Sequence, residues 1–408
     1  MTMPEQKKAV VPRLRFPEFR DAGPWEVKRV GYFLTESRID GSTGDIAKKL
    51  TVKLWGGGVV SKNEYLPGSP NTKYYRRKAG QFIYSKLDFL NGAFGIIPYE
   101  LDGYESTLDL PAFDFTKAIV PRFFLEYVKR PQFYKKHGEQ ADGSRKAKRI
   151  QVDYFLDLYV AVPCLAEQQK IADCLSSLDE LIELQAKKLE ALQAHKKGLM
   201  QQLFPREGET TPRLRFPEFR DAGPWEVKRL GEIAEITMGA SPPSAAYNDK
   251  CEGLPLLQGN ADIRDNRSAP RVHTRIVTKV CWPGDILFSV RAPVGQVAKS
   301  QHHACIGRGL CALRTIGQSV HQEFLYQWFL AYAQRWERLS QGGTFDAINS
   351  DDLNKSEIRA PSLTEQQKIA DCLSSLDELI ELQAKQLEAL KAHKKGLMQQ
   401  LFPQEIDL

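Results

Sequence analysis

The stretch EQQKIADCLSSLDELIELQAKKLEALQAHKKGLMQQLFP, residues 167–205, decides the organisation of this chain because it occurs twice. It returns at residues 365–403 with two substitutions, at positions 386 and 391. Apolar residues occupy most of heptad positions a and d of this long repeat over about five heptads, with Lys196 at one a position and Gln185 at one d position. A proline ends each copy, and the pattern predicts a long helix. Such a seam needs a partner of equal length, and the other copy is the nearest. We therefore predict an antiparallel coiled coil of the two copies about a pseudo-twofold axis. The predicted seam residues are Ile171, Leu175, Leu178, Ile182, Leu189, Leu192, Leu199, Ile369, Leu373, Leu376, Ile380, Leu387, Leu390 and Leu397.

A short repeat, PRLRFPEFRDAGPWEVKR, occupies residues 12–29 and again 212–229 without a change. Between the repeats lie interiors of almost equal length, 30–166 and 230–364, which share little sequence. Recent duplication alone would have left the interiors as alike as the repeats. We interpret the chain as one frame built twice around two modules that perform different versions of one task. The predicted organisation is an N-terminal segment at 1–24, a module at 25–166, a helix at 167–205, a linker at 206–224, a module at 225–364 and a helix at 365–408.

Each interior has short apolar strands bounded by Gly, Pro and Asn, followed by one clearer helix. The helical segments are FTKAIVPRFFLEYVKRPQFYKK in the first interior and SVHQEFLYQWFLAYAQRWERL in the second. This pattern predicts the α+β fold class, with two mixed α/β modules separated by the two long helices.

The composition of the 408 residues is that of an ordinary globular protein, and the length suits two domains. The sequence has no run of about 18 apolar residues and its first residues lack a signal-peptide core, so we expect a cytoplasmic protein without a membrane segment. The seven cysteines include no CxxC pair, which favours reduced thiols. The formal net charge of +6 is too small to identify a nucleic-acid partner, so the placement of the charges decides.

Basic residues cluster beside aromatic and Gly-rich segments in both interiors. The strands GQFIYSK and GDILFSVR each end in a serine followed closely by a cation, which suits contacts to phosphates or base edges. Any single cluster could be a solvated face, but clusters in both modules, joined by long helices, favour nucleic acid as the ligand. The predicted DNA-binding residues are Lys73, Arg76, Arg77, Lys78, Ser85, Lys86, Arg145, Lys146, Lys148, Arg149, Arg264, Arg267, Arg271, Arg275, Ser289, Arg291, Arg308 and Thr344.

A search for catalytic motifs gives a negative result. The sequence has no Walker A loop, HExxH, GxGxxG, or tetrapeptide of the NPPY or DPPY type. His302, His303, Cys305 and Cys311 lie close in sequence, but their spacing matches no zinc pattern. We therefore predict no catalytic, cofactor-binding or metal-binding residues in this chain.

The layout resembles the specificity subunit of type I restriction-modification systems. The resemblance covers essentially the whole chain and is carried by PWEVKRVGYF and PWEVKRLGEI, by PGDILFSVRAPVG, by VPCLAEQQKIAD and APSLTEQQKIAD, and by helices ending in KKGLMQQLFP. The first module departs from the commoner form, with AGQFIYSKLDFLNGAFG where the second has PGDILFSVRAPVG. The modules would correspond to the family's two target recognition domains and the long repeats to its two helical regions.

This resemblance implies a non-catalytic subunit that reads double-stranded DNA at a bipartite site, one half-site for each module. Its implied partners are two modification subunits, which carry S-adenosylmethionine and methylate adenine, and restriction subunits that use ATP and Mg²⁺. Two other functions stay open on the sequence alone, namely a stand-alone DNA-modifying enzyme and a helical scaffold that binds only protein. The sequence gives neither the target bases nor the gap between half-sites.

Overall fold

The computed structural model describes residues 10–62, 68–139, 149–333, 336 and 347–404. The chain divides into two compact units, Met1–Gln185 with Gln386–Leu408, and Ala186–Lys385. Each unit contains one interior, one short repeat and part of each long repeat. In the described residues, no helix has the combination of length and apolarity needed to span a membrane.

Both long repeats are helical over 39 residues each, as α4 (Leu165–Leu203) and α8 (Leu363–Leu401). Their composition of Leu, Ala, Glu, Gln and Lys favours the helix, and the proline that follows the Leu-Phe pair prevents its continuation. The prediction of two long helices is confirmed. The shorter helices are α1 (Pro121–Val128), α2 (Pro131–Glu139), α3 (Val152–Asp157), α5 (Leu230–Ile233), α6 (Gln322–Ala331) and α7 (Ser350–Lys355).

The first unit holds small antiparallel sheets around an aromatic core. A four-stranded sheet has the order β2-β10-β7-β8, a three-stranded sheet the order β3-β6-β9, and β4 and β5 form a hairpin. The strands are β1 (Glu26–Arg29), β2 (Leu34–Ser37), β3 (Ile39–Thr43), β4 (Leu50–Val52), β5 (Val59–Ser61), β6 (Lys73–Arg76), β7 (Phe82–Tyr84), β8 (Phe94–Ile96), β9 (Glu105–Ser106), β10 (Ala112–Phe115) and β11 (Tyr159–Val162).

The second unit contains two larger sheets. One has the order β13-β23-β20-β21-β17-β16 and the other β14-β18-β15-β22-β19, with parallel pairing only at β15–β22 and β17–β21 among the described strands. The strands are β12 (Glu226–Arg229), β13 (Ala234–Met238), β14 (Tyr247–Asn248), β15 (Leu254–Leu257), β16 (Ile263–Arg264), β17 (Arg267–Ser268), β18 (Val272–Thr274), β19 (Val280–Cys281), β20 (Ile286–Ser289), β21 (Val297–Lys299), β22 (Ala304–Ile306), β23 (Leu310–Thr315) and β24 (Glu357–Ala360). The mixture of helices and sheets in both units confirms the α+β class.

The short repeat closes each module in the same way. Its last four residues form β1 and β12, which pair antiparallel with β11 and β24, the last strands before the long helices. Its buried arginine, Arg15 or Arg215, makes a two-point ion pair with the first glutamate of the long repeat, Glu167 or Glu365. The short repeat and the start of the long helix therefore form one structural frame around each interior.

The end of each long helix packs in the unit that contains the other interior. Leu401 and Phe402 belong to the aromatic core of the first unit, where the Phe402 ring meets Trp25 edge-on at 6.2 Å. Leu203 and Phe204 belong to the core of the second unit, where the Phe204 ring meets the equivalent Trp225 edge-on at 6.2 Å. Each core is therefore completed by residues from the opposite copy of the long repeat.

Within each unit, an aspartate of one long helix pairs with a lysine of the other. In the first unit, Lys394 lies 2.6 Å from Asp179, and in the second, Lys196 lies 2.5 Å from Asp377. The two aspartates occupy the same repeat position, and so do the two lysines. Lys196 and Lys394 interrupt the apolar seam at heptad position a, and their pairing explains how that interruption is tolerated.

The predicted seam residues divide into two groups. At the start of each helix, Ile171 and Leu175, and likewise Ile369 and Leu373, are fully buried in the core of their own unit. The remaining seam positions are half-buried except for Leu387, which is buried. The first three turns thus anchor the helix to its module.

Candidate nucleic-acid interface

The basic run KYYRRK of the first module places its cations in different environments. Lys73 and Arg76 lie on β6 with Lys78 just beyond it, and all three are exposed, with Lys73 paired to Asp40 at 2.8 Å. Arg77 is 1% exposed and donates to the Ser106 hydroxyl and to backbone carbonyls, among them that of Ser37. Desolvation lowers its pKa to about 10. Arg77 therefore stabilises the interior of the module, and the prediction that it contacts DNA is corrected.

The end of β7 is also more enclosed than the sequence suggested. Ser85 is buried, and its hydroxyl is hydrogen-bonded to the carboxylate and backbone N–H of Asp88, so it does not present a hydroxyl to a ligand. Lys86 is half-buried, and desolvation lowers the pKa of its amine. Arg149 is exposed and lies 3.8 Å from Asp109. Arg145, Lys146 and Lys148 lie outside the described residues, and so does Thr344 of the second module.

Three arginines of the second module are engaged in ion pairs within their own unit. Arg267 contacts Glu381 at 2.6 Å, Arg271 contacts the buried Asp262 at 2.8 Å, and Arg275 contacts Glu252. Arg264 is exposed on β16 and has no ion-pair partner in the part of the chain that the structure describes. The four cations that the sequence presents as one cluster thus differ in their availability to a phosphate.

The serine at the end of β20 is structural. Ser289 is fully buried, donates to the carbonyl of Pro293 and accepts from the N–H of Gln296, so the prediction that its hydroxyl contacts DNA is corrected. Arg291, two residues on, is exposed, and so is Arg308 in the loop after β22. The N–H of Val290 donates to the carbonyl of Gly309, which brings these two arginines to the same edge of the module.

This edge of the second module also holds polar residues that sequence reasoning missed. Gln258 follows β15 and Ser241 follows β13, and both lie against the loop that carries Arg308. The sequence pattern that could have identified them is common to LLQGN and IGRGL. In each, an apolar strand ends at glycine and a polar residue. The parallel pairing of β15 with β22, which no local pattern shows, brings the two ends together.

The histidines and cysteines near β22 serve packing. His302 is hydrogen-bonded to Ser268 at 2.7 Å, and the His303 ring stacks on Trp282 with the centroids 3.9 Å apart. Cys305 and Cys311 are buried, and burial raises the pKa of the Cys311 thiol. Among the described residues, no group of three His, Cys, Asp or Glu side chains is arranged to hold a metal ion.

Comparison with known proteins places the chain among DNA specificity proteins. A family model described as the type I restriction modification DNA specificity domain matches residues 117–194 and 223–392. The putative type I restriction enzyme MjaX specificity subunit of Methanocaldococcus jannaschii is 34% identical over 289 residues, which cover 70% of this chain and 67% of that protein. The MjaVIII specificity subunit of the same organism is 25% identical over 277 residues, 62% of this chain and 63% of that protein.

Solved structures share the fold over nearly the whole chain. A chain from a structure concerned with complex assembly and conformational transition of the type I R-M system is 25% identical, with a TM-score of 0.59, and the match covers 93% of this chain and 97% of that one. The S subunit of a type I restriction-modification system from M. genitalium is 14% identical with a TM-score of 0.62, covering 97% and 99%. The second likeness concerns the fold alone.

Proposed function

Since the chain belongs to the family of type I restriction-modification DNA specificity subunits, and is therefore a non-catalytic subunit, we propose that it reads a bipartite DNA target. Each module reads one half-site, and the stretch between the half-sites is not read. The partner subunits bind S-adenosylmethionine, ATP and Mg²⁺, and the complex works in the cytoplasm.

The observation that carries this proposal is one frame built twice around two different interiors. The short repeat and the long repeat make the same contacts in each unit, from the Arg15–Glu167 and Arg215–Glu365 pairs to the paired strands β1–β11 and β12–β24. The residues that differ are those of the interiors, where the exposed Arg76, Arg264 and Arg308 lie. Two modules in equivalent frames suit two different half-sites read in one way.

The long helices act as the spacer in this proposal. The reciprocal pairs, Asp179 with Lys394 and Asp377 with Lys196, support an antiparallel coiled coil of the two repeats about a pseudo-twofold axis. A helix of 39 residues is about 58 Å long. At about 3.4 Å per base pair this allows at most about 17 base pairs between module centres, which is enough for half-sites one helical turn apart on one face of the duplex.

The same helices offer two equivalent surfaces to two copies of one partner. Leu181 and Leu184 are 46% and 63% exposed, and the same positions of the second copy, Leu379 and Leu382, are 36% and 51% exposed. The two exposed leucines of each copy are three residues apart, so they lie on one face of the helix and suit an apolar contact with a partner. We propose that two modification subunits dock here and that restriction subunits join through the assembled complex.

Sequencing of methylated DNA tests the proposal. The chain is expressed with its modification subunits, and the modified positions are expected to define one bipartite motif with a fixed gap. Replacing the interior 230–364 with that of another family member should change one half-site and leave the other half-site and the gap unchanged. The purified chain alone, incubated with labelled S-adenosylmethionine and the same DNA, is the control and should transfer no methyl group. A continuous motif, or a swap that alters both half-sites, would contradict the two-reader arrangement.

A further inference from the structure

Three strands of the second module end at one place and present their loops together. The parallel pair β15–β22 puts Gln258 and Gly307 at the same edge, where the Gly307 N–H donates to the Leu257 carbonyl at 2.8 Å and the Gly309 N–H to the Gln258 carbonyl at 3.2 Å. The chain after β13 joins them, because Ser241 accepts the Arg308 N–H at 3.1 Å. We call Ser241, Gln258 and residues 307–309 the strand-end cluster.

The backbone of the strand-end cluster is fixed by close contacts. A Cβ atom at Gly309 would collide with the Gln258 carbonyl oxygen, and one at Gly307 would lie 3.1 Å from the Ser241 hydroxyl and from the Gln258 Cα. Gly309 thus lets the loops approach to backbone contact, which a larger residue would prevent, and Gly307 lies in tight contact with the same loops. Arg308, between them, is therefore held on a rigid support although its side chain is exposed.

A buried carboxylate holds the second loop of the cluster. Asp262 is 1% exposed and accepts the Gln258 N–H at 2.7 Å with one oxygen and the Arg271 guanidinium at 2.8 Å with the other. Arg271 thus acts on the cluster through Asp262 and is a positioning residue. Its charge is already engaged, so it is less available to a DNA phosphate than its place in the sequence suggests.

Arg308 differs from the paired arginines of the module. Its guanidinium has no hydrogen-bond or ion-pair partner in the described residues, whereas Arg267, Arg271 and Arg275 each contact a carboxylate. The neighbouring side chain, Gln258, is half-buried and likewise has no side-chain partner among those residues. A guanidinium and an amide that both lack partners in the described residues, on neighbouring segments of fixed backbone, form the donor and acceptor set that reads base edges in the major groove. There arginine pairs with guanine and glutamine with adenine.

We infer that Arg308 is a specificity-determining residue that recognises a guanine in the half-site read by the second module, through two hydrogen bonds to the N7 and O6 atoms. This inference rests on the proposed function and adds to it the identity of a reading residue. Phosphate contacts tolerate a flexible cation, but two-point recognition of a base needs a planar donor pair held in place, and the strand-end cluster supplies that support.

The test compares Arg308→Ala and Arg308→Gln with the unaltered chain, each assembled with modification subunits. Binding to a set of duplexes that vary one base pair at a time is measured at several salt concentrations. Arg308→Ala should lose about 5- to 160-fold discrimination at one G·C pair of one half-site and keep the other half-site and the gap. Arg308→Gln, which retains a polar but shorter side chain and pairs with adenine rather than guanine, should lower the preference for guanine at that same pair.

Arg291→Ala is the matched control, because Arg291 is an exposed arginine on a neighbouring loop of the same edge. It should weaken all duplexes alike and reduce the salt dependence by about one phosphate contact. If Arg308→Ala behaves in this uniform way, or changes nothing in a folded complex, the inference is wrong while the proposed function stands. If the unaltered complex shows no bipartite preference at all, the proposed function fails and the inference fails with it.

Discussion

Loss of Glu167 should destabilise the first unit far more than loss of an exposed glutamate nearby. The Glu167 carboxylate accepts the Arg15 Nε at 2.9 Å and a second bond from the same guanidinium, and the two side chains are 1% and 6% exposed. Glu167→Ala leaves a buried guanidinium whose charge has lost its partner, which costs about 3–5 kcal/mol of unfolding free energy. Glu18, which contacts Lys170 at 3.1 Å with both side chains about half exposed, is the matched control. Glu18→Ala should change the unfolding free energy far less, because solvent screens this exposed ion pair.

Hydrogen exchange measures this loss within one unit. Peptides from the repeats are unsuitable because the two copies are nearly identical in sequence, but β11 and β24 differ and each pairs with a short repeat. In Glu167→Ala the amides of β11 should lose protection by roughly 160- to 5,000-fold, which is the stated free energy expressed as an opening equilibrium. The amides of β24, in the second unit, are the internal reference and should not change.

A double variant separates the charge from the packing. Arg15→Met with Glu167→Leu removes both charges and fills similar volumes, so most of the lost protection should return. Equal instability of the single and double variants would show that shape rather than an unpaired charge causes the effect. Protection within threefold of the unaltered chain for Glu167→Ala would refute the view that this pair fastens the helix to its module.

Three further changes test other parts of the structure. Arg77→Ala should lower the unfolding free energy by about 3 kcal/mol, since it leaves buried carbonyls without donors, whereas Lys78→Ala should leave urea unfolding unchanged and reduce only the salt dependence of DNA binding. Burial works to raise the pKa of Glu126, but Lys129 and Lys394 lower it below its ordinary value. The charged carboxylate therefore stabilises the folded protein fully above about pH 4.3, and this stabilisation is lost as the pH falls through the lower pKa of the folded state. Glu126→Gln should therefore flatten the acid limb of stability measured by urea unfolding between pH 6 and 3. Insertion of one heptad after Leu189 should lengthen the spacer by about 10 Å and the gap in the methylated motif by at most about three base pairs. An insertion of two residues there should instead lower stability.

The long helices were predictable because their signal is local. Every feature used, from the heptad spacing to the terminal proline, lies within the repeat itself, and helix formation depends mainly on neighbours three and four residues apart. The reciprocal ion pairs were harder to predict from the sequence. Lys196 could be recognised as an interruption of the seam, but the sequence did not indicate that Asp377 is its partner. That pairing depends on how two distant segments are aligned.

The candidate interface was less predictable because the availability of a charge depends on distant residues. Arg267 is 114 residues from Glu381 in sequence, yet the two are 2.6 Å apart, and nothing in the local sequence indicates this. Arg77 is a different case, because strand alternation places neighbouring residues on opposite faces. In KYYRRK, that rule separates Arg77 from Arg76 and Lys78 but groups it with the exposed Lys73, so alternation alone does not assign Arg77 to the interior.

The contacts between frame and modules explain how identical repeats fit interiors of different sequence. Gln168 accepts the N–H of Val120 and donates to the carbonyl of Pro163, and the equivalent Gln366 accepts the N–H of His321 and donates to two other carbonyls. The short repeat joins its module through strand pairing, which again uses backbone groups. Backbone N–H and C=O groups are common to nearly all residues, so a frame that recognises them imposes little on the side chains of the interior. The interiors are thereby left to vary at their exposed edges, where Arg308 lies, without loss of their attachment to the helices.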